Sequence, residues 1–107
     1  MALDAPWLDC CADPLLETEK VLNRDDHDRQ TLCRCQTCGA WWFDRFYEYI
    51  YFDADLPDDQ IRWFARLAEA EAAGLMSANG PGISFLAGRP CVRLDTSGAM
   101  RTTYPPF

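Results

Sequence analysis

Apolar and polar positions fall into distinct patterns along the 107-residue chain. Residues 14–38 read as a β-hairpin. Residues 15–21 suit an extended strand, Asn23-Arg24-Asp25-Asp26-His27-Asp28 is polar and turn-rich, and residues 30–35 return as a second strand. Residues 41–52 follow, with eight aromatics in twelve positions. Read at alternate positions, one face carries Trp42, Phe46, Ile50 and Phe52, and the other Trp41, Phe43, Tyr47, Tyr49 and Tyr51. Two apolar faces predict a long strand covered on both sides. Next, Ile61, Phe64, Ala68 and Ala72 recur at helical spacing. Pro57 and the acids Asp55, Asp58 and Asp59 stand before them, and Gly74 after them. That arrangement predicts a helix over 57–73. Beyond the breaker Asn79-Gly80-Pro81-Gly82, residues 83–86, 91–94 and 100–104 read as short strands separated by turns. The expected fold is α+β in a single domain, residues 1–107. A hairpin-and-strand part covers 7–52, and a helix with short antiparallel strands covers 53–107.

Composition adds two constraints. Hydrophobic residues make up 49% of the chain, enough for a packed core. A domain this small nevertheless buries only about 60–70% of its unfolded surface, so an additional staple would help it fold. No apolar stretch approaches the roughly 18 residues that a membrane-spanning helix needs. Asp4 stands where a signal peptide carries a base. The expected location is therefore cytoplasmic, where six cysteines serve as metal ligands or buried thiols rather than disulfides.

Cys35-Gln36-Thr37-Cys38-Gly39 has the spacing of a metal knuckle: two thiolates reach one tetrahedral ion, and glycine lets the chain turn around the sulfurs. The pair Cys10-Cys11 lies upstream, across the expected hairpin. Two cysteine turns joined by a hairpin resemble the zinc-ribbon domains, over about residues 7–52. The first turn departs from the usual ribbon, because its cysteines are adjacent rather than two residues apart. The expected ligands are Cys10, Cys11, Cys35 and Cys38, holding a structural Zn²⁺. Cys33 is the main substitute for the fourth place, and Asp13 and His27 are further candidates. Cys91 reads as a buried thiol. A thiol-redox role for Cys35 and Cys38 is the rival reading, although such a pair belongs at a helix N-terminus.

The formal net charge is −7. Acids are concentrated in the first 28 residues and around 53–59, while the tail from residue 76 is basic. Nine of the ten bases are arginine, a residue suited to bidentate pairing with carboxylates, so internal ion pairs are expected. Such a surface disfavours general nucleic-acid binding and favours fast association with a basic protein. No catalytic constellation is present, so the chain is not expected to be an enzyme. In size and acidity it is similar to small bacterial immunity proteins. That resemblance implies a basic toxin domain as partner, met by Asp53, Asp55, Asp58, Asp59, Tyr49 and Tyr51. The alternative is a nucleic-acid or transcription-associated zinc ribbon, with Arg29, Arg34 and Arg45 gathered near the knuckle.

Overall fold

A computed structural model describes residues 2–49, 59–77 and 82–105. Seven strands form one antiparallel sheet in sequence order: β1 (Ala2–Asp4), β2 (Leu15–Arg24), β3 (Asp28–Cys35), β4 (Trp41–Tyr49), β5 (Asp59–Leu67), β6 (Pro90–Asp95) and β7 (Gly98–Thr103). The sheet curls into a half-barrel. One helix, α1 (Glu69–Met76), and a 3-10 turn (Ser84–Leu86) lie between β5 and β6. The fold is therefore mostly β, which corrects the α+β expectation.

The correction comes from residues 59–67. They form a strand paired with β4 on one side and β6 on the other, not the first half of a helix. Their pattern has period two. Ile61, Trp63, Ala65 and Leu67 enter one buried cluster, while Phe64 enters the other. The helical spacing of Ile61, Phe64, Ala68 and Ala72 arises only by running across the boundary between this strand and α1. The true helix start is at Ala68, whose backbone N–H donates to Glu71 Oε1 at 2.8 Å. Gly74 sits inside the helix, and Ser77 caps it. The expected strand over 83–86 is the 3-10 turn, which drives Leu86 into the core.

The hairpin of β2 and β3 and the strands β4, β6 and β7 lie where the sequence pattern placed them; residues 50–52 of the expected aromatic strand lie outside the described residues. Bulges between Thr18 and Lys20 and between Val21 and Asn23 let β2 follow the curl. Each face of the sheet has its own core. One gathers Leu32, Phe43, Trp63, Leu86 and Tyr104 beneath α1. The other gathers Leu16, Cys33, Cys35, Trp42 and Phe64 beneath the segment that carries Ala5 and Leu8. β4 thus has both faces covered, as expected.

The arginines are largely tied to internal acids: Arg45 to Asp28, Arg62 to Asp44, Arg89 to Glu71, Arg93 to Asp95 and Arg101 to Asp9. Buried Arg45 also donates to the Tyr104 hydroxyl at 2.8 Å. It therefore does not join Arg29 and Arg34 in a cluster at the knuckle, as the nucleic-acid reading required. The single lysine, Lys20, donates to the carbonyls of Leu75, Met76 and Ser77, covering the negative end of α1.

Candidate metal centre

Two short segments build the site. The first is the loop between β1 and β2. Ala5 N–H donates to Pro14 carbonyl at 3.0 Å and closes this loop at its base, while Ala5 and Leu8 pack into the second core. Cys10 and Cys11 are carried at its tip. The second segment is the turn between β3 and β4. Gly39 N–H donates to Cys35 carbonyl at 2.8 Å, and Cys35 N–H to Ala40 carbonyl at 2.7 Å. Gly39 has φ +81°, in the left-handed region where a side chain would be strained. Thr37 Oγ1 donates to Asp13 carbonyl at 2.6 Å, and Gln36 N–H to Leu15 carbonyl at 2.7 Å. These two bonds clamp the segments together.

The result is four sulfurs, from Cys10, Cys11, Cys35 and Cys38, all within 4.8 Å of one another. The Cys10–Cys11 separation is 4.0 Å and the Cys11–Cys35 separation 3.8 Å. A tetrahedral zinc tetrathiolate with arms of about 2.3 Å has sulfur–sulfur edges of about 3.8 Å. The quartet therefore has the dimensions to hold a metal ion. Adjacent cysteines, the departure from the ribbon pattern, do not prevent convergence.

The electrostatics of the cluster point the same way. Burial pushes Cys35 up, but backbone N–H groups at Leu15, Cys38 and Thr37, with help from the Cys38 thiol, hold it down to about 6. Burial pushes Cys10 up to about 12 and raises Cys11, and the neighbouring thiols Cys35 and Cys38 add to both shifts. Without a cation, further thiolates beside Cys35 are strongly opposed. A divalent ion at the centre would reverse that balance. The donor side is prepared as well. Trp42 is buried, and its indole N–H has no oxygen or nitrogen partner among the described residues. It adjoins Cys10, where it favours the thiolate. A buried N–H without an acceptor is costly, and a metal-held sulfur anion supplies the missing one.

Other sequence candidates lie elsewhere. Cys33 shares a strand face with Cys35 but sits two residues before it in β3, outside the quartet. Its thiol donates to Thr31 Oγ1 at 3.7 Å, and burial raises it to about 11. Asp13 contributes its backbone carbonyl to the clamp. His27 is at the far end of the hairpin, 3.9 Å from Glu48 Oε1. Cys91 is buried and raised to about 11 by that burial, as expected of a core thiol. Of the residues expected to meet a partner, Tyr49 and Asp59 are opposite one another across β4 and β5. Asp53, Asp55, Asp58 and Tyr51 lie outside the described residues. Spacing alone did not reveal Trp42 or the Thr37–Asp13 clamp. The cross-strand position of Trp42 opposite Cys33, on the sheet face that also carries Cys35, was the available signal for the indole.

No protein-family model, curated protein or solved structure matches the chain.

Proposed function

We propose that the chain is a small structural-zinc protein that acts by binding a basic partner protein. The convergence of Cys10, Cys11, Cys35 and Cys38 carries the first half of this reading. Four thiolates suit zinc, and they leave no open position for a water or substrate. The ion would tie the loop after β1 to the turn after β3, so its role is to hold shape rather than to catalyse.

The second half rests on the net charge of −7. Among the described residues, five of the nine arginines are paired with acids of the same chain, which leaves the excess carboxylates to set the external field. Such a field accelerates encounter with a cationic surface. The partner class favoured here is a basic toxin domain, neutralised in the manner of an immunity protein, with the acids of 53–59 and Tyr49 and Tyr51 at the interface.

The test is titration of the zinc-loaded chain against purified cationic nuclease-toxin domains at low and high salt, with double-stranded DNA as a competing ligand. The expected result is a saturable protein complex whose affinity falls as salt rises, and no comparable binding to DNA. A complex indifferent to ionic strength, or preferential binding to DNA, would contradict the reading.

A further inference from the structure

The sheet face that carries the cysteine cluster is only partly roofed. Beyond Leu16 and Cys33 it opens into a cavity of about 420 Å³, within the size range of small-molecule sites. The strand register fixes what lines it. Arg29 on β3 stands opposite Phe46 on β4, which stands opposite Arg62 on β5. With strands about 4.8 Å apart, the two arginines flank Phe46 with Cα atoms about 10 Å apart. The next row of the same face pairs Thr31 with Asp44. Leu3 and Leu16, from β1 and β2, supply an apolar wall.

The floor is unusual for a sheet face. Thr31 and Asp44 are buried polar residues on a face where the neighbouring row places Trp42 and their own row continues into Phe64. Asp44 takes Arg62 side-on: Nε donates to Oδ1 at 3.3 Å, and Nη2 donates to Oδ2. A buried ion pair of this kind is often no more stabilising than apolar side chains of similar volume. Here it has a geometric consequence. Asp44 engages one edge of the guanidinium and Phe64 lies under its face at 5.3 Å, so Arg62 is held in one orientation, with Nη1 uncommitted among the described residues. Arg29, on the rim, has no ion-pair or hydrogen-bond partner among the described residues. One fixed and one free guanidinium across a cavity with an apolar wall match a carboxylate on an apolar stem. Asp44, in the floor, opposes ligands of higher negative charge.

We propose that this cavity binds a small monocarboxylate, its oxygens held between Arg29 and Arg62 and its apolar stem against Leu3 and Leu16. This site is separate from the metal quartet and does not depend on the reading of that centre.

The experiment is an NMR titration of the full chain, ¹⁵N-labelled, with hexanoate, hexylammonium and inorganic phosphate as probes. Hexanoate is expected to give saturable shifts at the Arg29 and Arg62 side-chain N–H groups and at the backbone of Thr18 and Cys33. Arg29→Gln, a substitution on the exposed rim, should weaken hexanoate by about tenfold, the value of one charge-assisted contact. Arg62→Lys keeps a cation beside Asp44 but removes the fork, and should weaken it similarly. Should Arg62→Lys fail to fold, the Arg29→Gln result decides alone. Absence of saturable shifts, an equal response to hexylammonium, phosphate binding as tight as hexanoate, or unchanged affinity in Arg29→Gln would each overturn the proposal.

Discussion

At the scale of single residues, the account turns on side chains that the fold has prepared for a partner atom. The indole of Trp42 is the clearest. Its buried N–H has no oxygen or nitrogen acceptor among the described residues, and the sulfur of Cys10 stands beside it. Outer-sphere donors of this kind typically contribute 10–100-fold to metal affinity. Trp42→Phe keeps the ring and removes the donor, so it is expected to weaken zinc by about tenfold or more, measured by competition with a chromophoric chelator. Unchanged affinity would show that the indole is packing only. Glu71 is a second prepared side chain. The Arg89 guanidinium, with the Ala68 N–H, holds its carboxyl down to about 2, below its ordinary 4.5. A lowered folded-state value means that the contribution is complete above pH 4.5 and lost as pH falls from there towards 2. Glu71→Gln is expected to cost about 1 kcal/mol at neutral pH and to flatten acid unfolding across that window. Denaturant titrations at several pH values would check both.

At the scale of elements, the hairpin, the aromatic strand and the last two strands were legible because each has turn residues at its ends and a period of two between them. β5 was not. Its alternation of Ile61, Trp63, Ala65 and Leu67 with Arg62, Phe64 and Arg66 was masked by apolar residues continuing into α1. Phe64 and Ala72 then fell on an apparent helical stripe that belongs to two different elements. Pairing with β4 and β6, which no local pattern encodes, decides the strand. Phe64, fully buried between the loop segment and the sheet, tests this. Phe64→Ala is expected to cost about 3–5 kcal/mol, as a core position does, measured by chemical denaturation. Amides of 61–66 should resist hydrogen exchange to the global unfolding limit. Rapid exchange there, or a cost below 1 kcal/mol on the scale of exposed sites, would contradict a central strand. The metal quartet was legible for a different reason. Cys35 and Cys38 have knuckle spacing, and the hairpin between the two cysteine pairs brings its ends together whatever its length. The adjacency of Cys10 and Cys11 obscured the geometry, which is made possible by the loop that Ala5 and Pro14 close.

At the scale of the whole molecule, two thin cores share one curled sheet, and one of them has the candidate metal centre at its border. The loop bearing Cys10 and Cys11 has little regular structure to hold it over Trp42 and Phe64. A metal ion there would contribute folding free energy directly. Chelation of the zinc-loaded chain is therefore expected to lower the melting temperature and to expose Trp7 and Trp42, seen as a red shift in tryptophan emission. A melting curve unchanged by chelator would mean that the cysteine loop stands by itself. The most direct test is native mass spectrometry of the purified chain, combined with cysteine alkylation mapped by residue. Cys38 is exposed, so only a bound ion would shield it. The account predicts one zinc per chain, with Cys10, Cys11, Cys35 and Cys38 unreactive until the metal is stripped. A folded, metal-free protein whose Cys38 alkylates as fast as a free thiol would contradict it.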